Sequence, residues 1–142
     1  MIRTARTLHP GTASGEAIRL TAPLSFWGGT DEHGRIIDAH HPQCGAILAG
    51  RILVMESGRG SSSASSVLAE QIRTRTAPAA IILARPDPII PLGALIAHEL
   101  YALATPVILL DQPTYDALPT DVLLQVEAGP ERATVSWSTV SR

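Results

Sequence analysis

Apolar residues fall into two rhythms along this chain. In its middle they come in short, nearly unbroken runs: Ala46 to Met55 (AILAGRILVM), 79–84 (AAIILA) and 107–111 (VILLD). Such runs mark strands covered on both faces, the habit of a parallel sheet. Between them the period changes to that of a helix. Ser65 to Arg75 places Val67, Leu68 and Ile72 on one side, and Leu92 to Leu103 sets Leu92, Leu95, Ile96, Glu99, Leu100 and Leu103 at helical spacing. The middle therefore reads strand, helix, strand, helix, strand, with Pro78 and the PDPIIP segment (86–91) as breaks.

The ends alternate instead. Ile2 to Leu8 is a short strand stopped by Pro10-Gly11, and Glu16 to Thr21 is a second, ended at Pro23. The tail offers 122–128 and 132–138 as strands joined at Gly129-Pro130, a hairpin signal. Residues 23–45 lack sustained periodicity, apart from a short strand over Arg35 to Asp38, and form a long connection of the kind that carries function. The pattern predicts a compact mixed α/β domain with two principal helices. Strands from both ends extend or close its sheet.

Composition narrows the function more than the fold. A formal charge of −2 with only 17% charged residues argues against nucleic acid or an anionic membrane as partner. Aromatic residues are too few for a base-stacking surface. Cys44 stands alone, so the chain holds neither an internal disulfide nor a cysteine-ligated cluster, and any metal centre must come mostly from another chain. No apolar core of signal-peptide length opens the sequence, and no run of about 18 apolar residues follows, so a cytoplasmic protein is expected.

Candidate chemistry concentrates in MESGRGSSSASSVLAE, 55–70, where six serines lie within ten positions between a strand and a helix. A flexible linker would have polar flanks on both sides, which this stretch lacks. Gly58 and Gly60 permit a sharp turn, and one of Ser61 to Ser63 can cap the helix. The same geometry also places unpaired helix N–H groups beside an anion, either a substrate carboxylate or phosphate or a serine hydroxyl that has lost its proton. The helix dipole contributes at most about 2 kcal/mol, so a serine base needs a second positive source, either Arg59 or a group outside this chain. Walker-type loops require a Lys that is missing, no G-x-S-x-G elbow is present, and Ser63 replaces the third glycine of a dinucleotide fingerprint.

Elsewhere, His33, His40, His41 and Cys44 gather with Asp31 and Asp38 in the long connection, but without the paired spacing of structural zinc. They read as polar residues of a cleft. Phe26-Trp27 precedes a glycine turn and serves as core, as pocket wall or as a subunit contact. Arg85 and Asp87 follow the C-terminal end of a buried strand, where sheet-based sites form, and His98 and Glu99 read as surface residues.

Four stretches in order, PLSFWGGTDEHGRIID, HHPQCGAILAGRILVMESGRGSSSASSVLAE, APAAIILARPDPIIPLGALIA and YALATPVILL, resemble the swivelling domain of aconitase X, from about Gly15 to Leu110. Ala64 departs from the pattern, which has glycine after the serine run. The resemblance implies a single β/β/α swivelling domain over 1–142, with a mixed, barrel-like sheet. It further implies the small subunit of a two-chain hydro-lyase whose large subunit carries an iron–sulfur cluster or iron. Its substrate would be a small hydroxy acid, cis-3-hydroxy-L-proline or, as the alternative, (R)-5-phosphomevalonate. The absence of Lys and of a basic cluster along the chain favours the former. Carried over from the wider group, Ser61 is the proton-abstracting base, with Ser62 as second choice. Ser62, Ser63, Gly60 and Arg59 are expected to bind substrate, and no metal ligand is expected in this chain. A non-catalytic swivelling module that holds an anion for a different enzyme is the rival of another class.

Overall fold

The structure is a computed structural model, and it describes residues 1–138. Seven strands form a closed ring in the order β1 (Ile2–His9), β5 (Val107–Leu109), β4 (Ala80–Leu83), β3 (Ile52–Met55), β2 (Gly11–Arg19), β6 (Leu123–Ala128) and β7 (Arg132–Ser136), with β7 returning to β1. The ring is irregular and has two halves. β2, β3, β4 and β5 run parallel, and β1, β6 and β7 complete the circuit with antiparallel pairings. Helices α2 (Ser63–Thr74) and α3 (Ile89–Tyr101) are the crossovers of the parallel half. The short elements are an irregular turn α1 (Phe26–Gly29), broken by non-helical Trp27 and Gly28, and α4 (Gln112–Ala117).

Alternation within the strands explains two cores. Successive side chains point to opposite faces. Ile52 and Val54 with Ala80 and Ile82 face into the ring, where they meet Ile108, Leu124, Val126 and Val135. Leu53, Met55, Ile81 and Leu83 face outward under α2, α3 and the long connection, which adds Leu24, Phe26, Ile36 and Leu48. Every residue of β3 and β4 is buried, as their unbroken apolar runs predict. No helix of the described residues is long and apolar enough to cross a membrane.

Several boundaries move for local reasons. β2 begins at Gly11 rather than Glu16, because the polar stretch Gly11 to Gly15 pairs with β6 from Gly11↔Ala128 to Gly15↔Leu124. The apolar run Ala46 to Met55 is extended only from Ile52, since Gly50 turns the chain at φ +73°. The short strand expected over Arg35 to Asp38 reduces to two isolated bridges, Thr30↔Ile36 and Arg35↔Ile47. α3 starts three residues before Leu92 because the Asp87 carboxylate accepts from the Ile89 N–H at 2.8 Å. α4 is capped in the same way, Asp111 accepting from Thr114 N–H at 2.9 Å.

The leucine stripe that identifies α3 is not the face it buries. Ile90, Gly93, Ala94 and Ala97 pack inward, and a Cβ on Gly93 would lie 2.8 Å from the Ser65 carbonyl and 3.1 Å from Leu68, so glycine lets α2 and α3 approach. Leu92, Leu95 and Leu100 remain exposed.

Candidate functional site

β3 delivers the chain to the serine corner at the carboxyl end of the parallel strands, where open α/β sheets place ligands. The turn is tight because its glycines are compressed. A Cβ on Gly58 would sit 2.6 Å from Asp87 Oδ2 and 2.8 Å from Ile90 Cδ1. Gly60 has φ +107°, and a Cβ there would collide with the Ser25 hydroxyl. Asp87 ties the two walls together, accepting from Gly58 N–H at 3.0 Å as well as from Ile89 N–H.

The corner leaves its polar groups free. Ser62 occupies the N-cap of α2 in a right-handed conformation, and no serine side chain caps the helix, contrary to the simple capping reading. The Ser61 and Ser62 carbonyls accept from Ala64 and Ser65 N–H, and Ser65 Oγ donates to the Ser62 carbonyl at 2.6 Å. The hydroxyls and the N–H groups of Ser61, Ser62 and Ser63 have no partner among the described residues, and all three serines are exposed. Three consecutive free donors at the start of a twelve-residue helix form a ready anion cradle.

Beside the corner lies a cleft of about 460 Å³, open to solvent. Ser57, Gly58, Arg59 and Gly60 form its floor, Leu24 and Phe26 one wall, and Arg85 to Ile90 the other. Of the residues expected from the sequence, Arg59 and Gly60 line the cleft, whereas Ser61, Ser62 and Ser63 stand at its lip. Arg85 stands out in the sequence only for its place after a strand, yet the fold sets it in the same cleft as Arg59. Its ion pair to Glu56 is long at 3.8 Å and solvent-exposed. Thus the sequence has no basic cluster, but the fold brings two arginines to one cleft, which the Asp87 carboxylate also lines. Position at a strand's C-terminal end was the only sequence signal for Arg85.

The histidine-rich connection takes the opposite course. His41 is buried, its Nε2 bonded to the Ala22 carbonyl at 3.0 Å while its Nδ1 accepts from Gln43 N–H at 3.0 Å. Asp31 accepts from the N–H groups of Arg35 and His33, which hold its carboxyl below the ordinary value. Asp38 accepts from His40 N–H. Gln71 of α2 donates to Thr30 Oγ1 at 2.8 Å and fastens the loop to the helix. This connection is scaffold, with only its first residues reaching the cleft. Cys44 is exposed, its thiol 3.7 Å from the Ile36 carbonyl. One cysteine, and a histidine with both ring nitrogens engaged, do not make a cluster site, and no three metal-binding side chains converge among the described residues. His98 is exposed as expected but bonds the buried His9, Nδ1 to Nε2 at 3.0 Å.

Comparison with known proteins adds independent findings. Residues 2–136 match the family model described as the aconitase X swivel domain. A cis-3-hydroxy-L-proline dehydratase from Pseudomonas aeruginosa is 50% identical over 103 residues, which is 72% of this chain but 18% of that protein. The chain thus spans about a fifth of the length of the first curated relatives it matches. A phosphomevalonate dehydratase small subunit from Methanothermobacter thermautotrophicus is 37% identical, the match covering 80% of this chain and 81% of that one. The holo-form crystal structure of Thermococcus kodakaraensis aconitase X superposes with a TM-score of 0.79 at 30% identity, over 94% of this chain and 98% of that one.

Proposed function

The chain belongs to the aconitase X swivel-domain family, and from that premise we propose that it is the small, closing component of a hydro-lyase that dehydrates a small hydroxy acid. The observation that carries the reading is the serine corner: free hydroxyls and free helix N–H groups at the lip of a cleft holding two arginines. Its large partner would be the aconitase X large subunit, and the iron–sulfur or iron centre belongs to that partner, because this chain's own donors do not fit one.

Ser61 is the base that removes the proton alpha to the carboxylate. The helix N-terminus supplies at most about 2 kcal/mol, or roughly 1.5 pKa units, towards the ionised hydroxyl. That is too little alone, so Arg59 and Arg85 provide further positive charge. The same arginines and the N–H groups of Ser62 and Ser63 hold the substrate carboxylate, and they stabilise the charge that builds on it as the proton leaves. Gly60 brings the backbone close without a Cβ in the way. Closure of this domain over the large chain excludes water from the base.

Cis-3-hydroxy-L-proline is the favoured substrate, supported by the higher identity to the dehydratase of that name. The arginine pair keeps phosphomevalonate as the second reading, since two guanidinium groups also suit a phosphate. Co-expression with the large chain, followed by assay on both compounds, tests the proposal. Dehydration of either one by the pair, and of neither by this chain alone, is expected. A complex inactive on both, with the metal centre intact, refutes the dehydratase reading and leaves the anion-holding module.

A further inference from the structure

Two exposed apolar ridges bracket the serine corner. On one side Trp27 is 60% exposed although the adjacent Phe26 is buried in the cleft wall. The Ser25 hydroxyl donates to the Trp27 carbonyl, and Ser25 is the residue against which Gly60 packs, so this ridge abuts the corner directly. Ile37 extends it, its N–H bonded to the Gly29 carbonyl at 2.8 Å and its side chain exposed. On the other side Ile89 lines the cleft, and the same face of α3 continues into Leu92 and Leu95, 40% and 44% exposed. Large apolar groups left in water beside a polar cleft mark a surface meant to be covered.

We propose that these ridges, Trp27 with Ile37 and Leu92 with Leu95, are the seat of the large dehydratase chain and form a water-excluding rim around the corner. This rests on the functional reading above and adds where the partner docks. The occupant follows from three observations. The face is continuous with the cleft, so whatever covers it also closes the site. In the relative that is 50% identical, roughly four-fifths of the polypeptide lies outside the match, so this kind of domain occurs attached to a much larger body. A relative matched over 81% of its own length carries the name of a small subunit, which implies a larger companion chain for that protein. Contacts that hold little energy individually but keep water from a central group are the common arrangement around interface hot spots, and tryptophan is enriched among those hot spots.

The test measures binding of the co-expressed large chain to wild type, to the Trp27→Ser/Leu92→Ser double variant, and to Leu123→Ser. Leu123 is 68% exposed on β6, in the antiparallel half of the ring, and serves as the control. The double variant should keep its melting temperature but bind at least ~30-fold more weakly. Leu123→Ser should bind as wild type does. Undiminished binding by the double variant, or equal loss in the control, overturns the docking assignment while the dehydratase reading stands. Failure of the wild type to bind the large chain overturns both. A self-associated wild type that becomes monomeric in the double variant shows that a second copy is the occupant, and likewise overturns the assignment.

Discussion

Two polar clusters, similar in the sequence, are put to different uses by the fold. The connection 23–45 has three histidines, a cysteine and several carboxylates, and looks the richer in chemistry. Yet His41, Asp31 and Asp38 are hydrogen-bonded to backbone close by, as buried or turn-forming polar groups must be. The serine corner carries weaker functional groups and leaves them unbonded, next to a cleft lined by two arginines. What separates scaffold from candidate site is not reactivity by residue type. It is whether a polar group has already been satisfied within the fold.

Replacement at each cluster can break this contrast. Ser61→Ala should cost the two-chain enzyme at least about 10²-fold in turnover while the complex still assembles. Near-normal activity would remove the corner from the chemistry. Arg85→Ala should raise KM by roughly 10-fold or more, the worth of a charge-assisted hydrogen bond, and lower kcat as well, since the same guanidinium offsets charge that builds as the proton leaves. An unchanged KM would mean that only Arg59 faces the carboxylate. On the scaffold side, His41→Ala should lower stability by about 1–3 kcal/mol, since it strands the Gln43 N–H and the Ala22 carbonyl. Activity per folded complex should hold, and loss of turnover without loss of stability would erase the distinction.

The smallest expected effect concerns His9. Burial, with the neighbouring His98 adding to it, lowers its pKa, and Glu99 opposes weakly. The fold therefore favours the neutral ring. The unfolded chain takes up a proton below about pH 6.5, which the native state resists, so stability is full above that pH and declines as pH falls towards the depressed native value. Urea melts at stepped pH should show this decline shrinking in His9→Gln. An identical pH profile in the variant would assign it to other groups.

The parallel half was legible because 79–84 and 107–110 are apolar throughout, and only a strand buried on both faces tolerates that. Ser61 and its neighbours were legible because a strand leads in and a helix leads out. Other features depend on partners far along the chain. Gly11 to Gly15 is a strand only because β6 accepts it. The PDPIIP segment reads as a break, whereas Asp87 uses it to start α3 and to hold Gly58. Helical spacing located α3 but not its buried face, which is set by the small residues Gly93, Ala94 and Ala97 fitting against α2. The convergence of Arg59 with Arg85 is invisible before the strands are paired.

The proposed role of Ser61 is to act on the proton and not on the architecture of the corner. It is tested most directly by titrating the assembled Ser61→Ala complex with L-proline, a carboxylate ligand that lacks the leaving hydroxyl, beside a turnover assay of the same preparation. The expected result is an affinity within about threefold of wild type together with turnover reduced at least about 10²-fold. Parallel loss of binding and turnover, or turnover that survives, would contradict it.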